Sequence, residues 1–201
     1  MTDSEQLRHW RGDFGNAYTE RNIVPSRIRL AAFKDMLAEI RLASVLEVGC
    51  NRGHNLGLLS ELHRNIQLVG LEPNATAARI ARESFPEIAV LDRSGFDIPF
   101  EDGFFDLTFT SGVLIHVASH DLPRIIGEIY RVTHRYILAI EYFAEKETPV
   151  HYRDHANLLW KRDYFQRYVS QFPELTLLRS GQWGKRDGFD RCHWWLMEKP
   201  R

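Results

Sequence analysis

Two acids stand where apolar runs end. Glu47 lies two residues before Gly49 in "VLEVGCNRGHN", and Glu72 closes "IQLVGLE" 25 residues later. A carboxylate at the end of a strand can accept both hydroxyls of a ribose. Gly49 and Gly53 are spaced G-x-x-x-G, which is not the G-x-G-x-x-G of a dinucleotide loop. No Gly-Lys-Ser/Thr follows, as a phosphate-cradling loop requires. An acid inside such a loop repels a pyrophosphate and tolerates a ligand with a cationic amine and a sulfonium. Asn51, between the two glycines, belongs to the few residue types that accept a left-handed backbone, so a tight turn survives there.

These side chains need a scaffold, and the hydrophobic pattern supplies one. "ASVLEV", "IQLVGLE", "IAVLD", "FDLTFTSG" and "RYILAIEYF" read as strands, short, apolar and β-branched. Helical patterns separate most of them. "SRIRLAAFKDMLAEI" starts at a capping Ser26, "NLGLLSELHR" follows the glycine loop, and "NATAARIARESF" is capped by Asn74. "SHDLPRIIGEIYRVT" follows the fourth strand, with Ser119 at its start. Strands alternating with helices predict a parallel sheet in a three-layer α/β fold. After a helix near "KRDYFQRYVSQF", "ELTLLRSGQW" and "DRCHWWLMEK" have no helix between them and read as an antiparallel pair at one end of the sheet. No composition shift marks a domain boundary, so 1–201 reads as one domain.

In order and spacing, "LEVGCNRG", "GLEPN", "IPFEDGFFD" and "FTSGVLIHV" resemble the class I S-adenosylmethionine-dependent methyltransferases. The resemblance spans nearly the whole chain. It implies a Rossmann-like sandwich with a seven-stranded, mostly parallel sheet in the order 3-2-1-4-5-7-6, the last strand antiparallel. It places Glu47, Gly49, Cys50 and Asn51 along the methionine part of the cofactor. Glu72 would hold the ribose, with Pro73 and Asn74 shaping its rim. Ser94, Gly95 and Phe96 would flank the adenine, and Ser111, Gly112 and Val113 would pass beneath. The chain departs from the common pattern twice. Asn51 stands where glycine is frequent, and Ser94 stands where an acid often accepts the adenine amino group, a role left to Asp92 or Asp97.

Within that superfamily, "HWRGDFGNAYTERN" and "EYF…PVHYRDHANLLWKRDYFQRY" resemble the bacterial methylases associated with pseudaminic acid biosynthesis. That implies a small polar, sugar-like acceptor. The alternatives are an amino acid, peptide or natural-product acceptor, or a non-catalytic cofactor-binding partner subunit. A hydroxyl or ammonium acceptor needs a base. His116, just past the fourth strand, is the first candidate, and Glu141 and Tyr142 after the fifth strand point at the same rim. Each of these could instead be a packing or solvated residue. The polar segment 143–163 reads as an acceptor-side loop, in which Tyr152, Arg153, His155, Lys161 and Arg162 could grip a carboxylate or phosphate. Residues 1–25 read as a lid. Phe14 and Tyr18 would cover the cofactor and Arg21 would meet the methionine carboxylate. Asp106 reads as fixing a loop.

Composition narrows the partners. Lys and Arg total 26 against 27 Asp and Glu, which offers no basic footprint for nucleic acid. No apolar run approaches the roughly 18 residues of a membrane span. "MTDSEQLRHW" has no apolar core of a signal peptide. Two cysteines and nine scattered histidines form no disulfide framework and no metal-ligand spacing. The expectation is a cytoplasmic enzyme, monomer or homodimer, whose partner is a small molecule, with no metal.

Overall fold

A computed structural model describes residues 4–23, 26–63, 65–153 and 157–200. The chain opens with two short helices, α1 (Glu5–Arg11) and α2 (Asp13–Arg21), and continues through α3 (Leu30–Met36) into β1 (Ser44–Val48). Then α4 (His54–Leu62), β2 (Gln67–Leu71), α5 (Ala75–Ser84), β3 (Ala89–Leu91), β4 (Phe105–Ser111), α6 (Leu122–Val132) and β5 (Thr133–Glu141) alternate. A two-stranded ribbon, β6 (Thr148–Pro149) and β7 (Trp160–Lys161), precedes α7 (Tyr164–Gln171), β8 (Thr176–Trp183) and β9 (Cys192–Glu198).

The large sheet runs β3-β2-β1-β4-β5-β9-β8. Counted along its own seven strands this is 3-2-1-4-5-7-6, as expected. β1 pairs in parallel with both β2 and β4, while β9 runs antiparallel to β5 and β8. The order reverses at β1, so the crevice beyond the carboxyl ends of β1 and β4 is where such a sheet receives a ligand.

Alternation along the strands divides the core in two. Val45, Leu138 and Ile140 face a layer with Phe33, Leu56, Leu59 and Ala78, from α3, α4 and α5. Leu46, Val48, Ile137 and Ala139 face the layer of α6 and α7. In α6 the buried residues are Leu122, Ile125, Ile126, Ile129 and Val132, one stripe at helical spacing. Caps fix two helix starts. Asn74 Oδ1 accepts from Ala77 N at 2.9 Å and Asp163 Oδ1 from Gln166 N at 3.0 Å. Asp106 holds the entry to β1 as expected, its Oδ2 accepting from Ala43 N at 2.7 Å and Ser44 N at 3.2 Å.

Three elements depart from the pattern reading. The helix expected from Ser26 begins as a 3-10 turn over Ser26–Arg29, and α3 ends at Met36 before Glu39, whose φ is +64°. Ser119 does not start α6. Asp121 occupies that position, and the Ser119 hydroxyl donates to Glu147 Oε1 at 2.6 Å. The segment expected as a loop carries the β6–β7 ribbon, because Val150 N and Leu159 O close it at 2.8 Å. No described helix is long and apolar enough to cross a membrane.

Gly70, opposite Glu47 in the β1–β2 register, marks a tightly packed part of this core. A Cβ there would sit 2.6 Å from Cys50 Sγ and 3.0 Å from Leu56 Cδ1. Gly70→Ala is therefore expected to destabilise by about 1–3 kcal/mol through overpacking. Thermal unfolding should show this as a Tm lowered by roughly 2–10 °C.

Candidate functional site

The loop after β1 is folded by its own amides. Gly49 N and Cys50 N both donate to Leu71 O, at 2.7 and 3.0 Å, which bends the chain back over β2. Gly49 sits at φ +76°, and a Cβ there would lie 2.5 Å from Val113 Cγ2. Asn51 takes φ +46°, the left-handed turn its residue type permits. Its amide donates to Glu72 Oε2 at 2.8 Å, while Glu72 Oε1 accepts from Asn74 N at 2.8 Å. One buried carboxylate thus joins the loops after β1 and β2. Each of its oxygens keeps lone-pair capacity for a further donor. Burial pushes the Glu72 carboxyl up to about 7 despite those two amides.

Glu47 is 1% exposed inside the central strand. Its Oε1 accepts from Asn55 Nδ2 at 2.7 Å, and its Oε2 is buried with no partner. Burial pushes this carboxyl up to about 8, with the Asn55 bond and the Arg29 charge opposing. Arg29 Nη1 in turn donates to Asn55 Oδ1 at 3.0 Å and its Nε to Gly188 O at 2.8 Å. A buried, half-satisfied carboxylate of this kind favours a cationic partner.

Around these acids lies a cavity of about 430 Å³. Cys50, Pro73, Ser94, Gly95, Phe96, Ser111, Gly112 and Val113 all line it, as the resemblance implies. Gly95 lets the backbone close in, since a Cβ would lie 2.5 Å from Val48 Cγ1. Asp92 and Asp97 are exposed and outside the wall, so Ser94 has no acidic substitute there.

The helices α1 and α2 cover the cavity, and Trp10, Tyr18 and Thr19 line it. Asn74 Nδ2 donates to Trp10 O at 3.0 Å and Asn16 Oδ1 at 2.9 Å. Asn51 Nδ2 reaches Thr19 Oγ1 at 3.3 Å, and Arg52 Nη1 reaches Thr19 O at 3.2 Å. The lid is thus fastened to the two loops that Glu72 joins. Phe14 packs edge-on against Trp10 and Tyr152. Arg21 is corrected by its position. It is exposed, 5.7 Å above the Tyr18 ring, and does not line the cavity. Arg29 does. Arg29 escapes the sequence reading, although it falls on the same helical stripe as Ala32, Phe33 and Met36. A basic residue at a core-facing position is the signal that marks it.

On the other side of the cavity stands His116. Its Nδ1 lies 2.6 Å from Leu158 O, and its ring centroid is 4.6 Å from Trp10 and 5.4 Å from Tyr152. Burial pushes its pKa down to about 4, so it is neutral at pH 7. Tyr142 lines the cavity and donates its phenol to Asp190 Oδ2 at 3.0 Å. Burial, then that carboxylate, push the phenol well above its usual range, which leaves it a donor rather than a base. Tyr152 and Arg153 are also in the wall.

Three expectations on this side are corrected. Glu141 is fully buried and turned from the cavity, and its carboxylate accepts from Val113 N, Leu114 N and Ile115 N at 3.2, 3.1 and 3.3 Å. Arg162 is fully buried as well and donates to Glu147 Oε2, Leu114 O, Tyr164 Oη and Ser119 Oγ. Both are spent on holding the turn before His116. Lys161 is exposed on β7, outside the wall. His155 lies outside the described residues. Asp190 and Asn55, which the sequence reading also passes over, line the cavity. Among the described residues no His, Cys, Asp and Glu are grouped to hold a metal.

Residues 45–135 match the family model described as "Methyltransferase domain". No curated protein matches the chain in sequence. Among solved structures it is similar to the 1,6-didemethyltoxoflavin-N1-methyltransferase of Burkholderia thailandensis, which holds 1,6-didemethyltoxoflavin and S-adenosylhomocysteine. The TM-score is 0.74 at 13% identity, over 100% of this chain and 94% of that one. The magnesium protoporphyrin IX methyltransferase of Synechocystis PCC 6803, with S-adenosylmethionine bound, gives a TM-score of 0.71 at 11% identity, over 100% of both chains. A methyltransferase of Aquifex aeolicus gives 0.62 at 16% identity, again over 100% of both. The fold is shared with all three.

The buried acids make a stability prediction. Glu47, Glu72 and Glu141 all have folded-state pKa values raised above the ordinary 4.5, to about 8, 7 and 7. The folded state binds their protons more tightly than the unfolded chain, so this contribution is full below about pH 4.5 and is lost as pH rises to about 8. Glu47→Gln keeps an oxygen for Asn55 and cannot titrate. Denaturant unfolding at pH 5 and pH 8 should show the variant losing less stability than the parent, by at most about 1.4 kcal/mol per pH unit.

Proposed function

We propose that this S-adenosylmethionine-dependent methyltransferase delivers its methyl group to a hydroxyl or amine of a small polar, sugar-like acceptor, such as a metabolite of surface-glycan biosynthesis. The observation that carries the cofactor reading is the acid pair at the ends of β1 and β2. Glu47 offers a buried, unpartnered oxygen suited to an amino group, and Glu72 offers two lone-pair positions suited to the ribose diol. Arg29, in place of Arg21, is the cation that would meet the methionine carboxylate. Gly49, Cys50 and Asn51 would follow the methionine part, Pro73 and Asn74 the ribose rim, Ser94, Gly95 and Phe96 the adenine, and Ser111, Gly112 and Val113 the underside. Bound there, S-adenosylmethionine would supply an electrophilic methyl group on a sulfonium, with S-adenosylhomocysteine as the leaving group.

The chain's own part is then positioning and proton removal. His116 is neutral at pH 7 and takes the acceptor's proton. Tyr142, held by Asp190, orients the acceptor from the opposite strand end. Tyr152 and Arg153 form the face of the acceptor side, and α1 and α2 form the lid. A second reading has its own support. Trp10 and Tyr152 give the acceptor side flat aromatic walls, and the Burkholderia relative holds a planar heterocycle. Such walls stack on a sugar ring or on a planar natural product, and the two are separated by which accepts labelled methyl, a nucleotide-activated sugar or an aromatic heterocycle.

Titration calorimetry with S-adenosylhomocysteine and, separately, NADH tests the cofactor reading. Binding of S-adenosylhomocysteine alone is expected, and binding of NADH alone overturns it. Glu72→Gln should weaken S-adenosylhomocysteine by about 1–3 kcal/mol, roughly 5- to 150-fold, by taking an acceptor from a buried donor. His116→Ala should lower turnover on any acceptor the parent methylates by about 10²–10⁴-fold while leaving that affinity near the parent value.

A further inference from the structure

The histidine on the acceptor side is held by a segment of chain far from it in sequence. His116 Nδ1 faces the main-chain oxygen of Leu158 at 2.6 Å. A carbonyl oxygen only accepts, so Nδ1 is the ring nitrogen that carries the hydrogen. In a neutral imidazole the lone pair then lies on Nε2.

The Leu158 carbonyl is itself set from several directions. Asn157, just before it, takes φ +60°, a left-handed conformation that turns the following peptide. Gln6 of the lid helix α1, buried to 8% exposure, donates to Asn157 O at 3.2 Å. Leu158 and Leu159 are each 3% exposed, and Val150 N grips Leu159 O at 2.8 Å across the ribbon. At the ribbon's base, Arg162 and Glu147 reach the turn that bears His116. Arg162 donates to Leu114 O at 3.3 Å and to Ser119 Oγ at 3.1 Å, and Ser119 Oγ donates to Glu147 Oε1 at 2.6 Å. The turn is held from below by Glu141 through three amides. Ribbon, lid and turn therefore meet on one imidazole.

We propose that the main-chain carbonyl of Leu158 is the orienting partner of His116, so that seating the β6–β7 ribbon is what makes Nε2 the proton acceptor. Leu158 stands to this histidine as a carboxylate stands to the histidine of a hydrolase triad, with a neutral dipole in place of a charge. A neutral partner suits a site already crowded with buried acids. Gln6 is a positioning residue that acts through the chain at Asn157 and Leu158, and Glu147 and Arg162 are positioning residues that tie the ribbon's base to the turn bearing the ring. The assignment of a catalytic consequence rests on reading His116 as the base. The tautomer itself does not.

Long-range ¹H–¹⁵N correlation spectra of the full chain, ¹⁵N-labelled at histidine and saturated with S-adenosylhomocysteine, test this. His116 is assigned by the signals missing from His116→Gln. The parent is expected to show Nδ1 protonated and Nε2 bare. Glu147→Ala loosens the ribbon without touching the ring, and should convert that single tautomer into a mixture containing the Nε2–H form, which an unrestrained histidine in water favours. Calorimetric affinity for S-adenosylhomocysteine should stay within about twofold, because Glu147 lies outside the cavity wall. A parent with its proton on Nε2, or a Glu147→Ala variant with the parent's single tautomer, overturns the proposal. Full turnover by His116→Ala would strike the base reading alone and leave the tautomer result standing.

Discussion

One carboxylate organises the carboxyl end of this sheet. Glu72, itself buried, accepts the Asn51 amide on one oxygen and the Asn74 amide on the other. The loops after β1 and β2 are therefore not independent. Asn51 holds a left-handed turn because Glu72 rewards its amide, and Asn74 caps α5 from a position that the same carboxylate fixes. The lid rests on side chains of these two residues, so the cover of the cavity inherits its place from a single acid beneath it. The cost is desolvation, visible in a carboxyl held near neutrality.

The opposite side of the cavity uses buried charge differently. Glu141 and Arg162 take hold of the same short turn, one by its amides and one by a carbonyl. Neither faces the cavity, yet each helps decide where His116 stands. Three backbone N–H groups offset part of the burial of Glu141, which still pushes its carboxyl up to about 7, while the Arg162 guanidinium has four partners. What looks like a reactive rim in sequence is a frame made of the same residue types.

Much of the fold was legible because it rests on periodicity. The alternation of strands and helices, the antiparallel end pair, the Asn74 cap and the left-handed Asn51 follow from short-range pattern and residue type, while the strand order came from the family resemblance. The acid pair was legible for a related reason, since Glu47 interrupts an otherwise apolar strand. Glu141 and Arg162 were not. A strand-end Glu and a loop Arg carry no mark that separates facing a cavity from facing a backbone turn 26 or 48 residues away. That difference is set by tertiary packing alone. Arg29 carries a sequence signal, a basic residue on the core-facing stripe, but its partners Asn55 and Gly188 lie 26 and 159 residues away and only the folded chain brings them together. Arg21, on the same short helix as Tyr18, is exposed and stacks over the Tyr18 ring, a direction that sequence alone does not give.

Asn51 has one more consequence. A glycine could make the same turn, but it would have no side chain to reach Thr19 Oγ1. With Asn51, Arg52 and Asn74 all fastened to α1 and α2, the walls that grip a ligand and the cover above it share their bonds. The residue at the centre of the glycine loop therefore couples the cavity wall to its cover, so that one cannot shift without breaking a bond to the other.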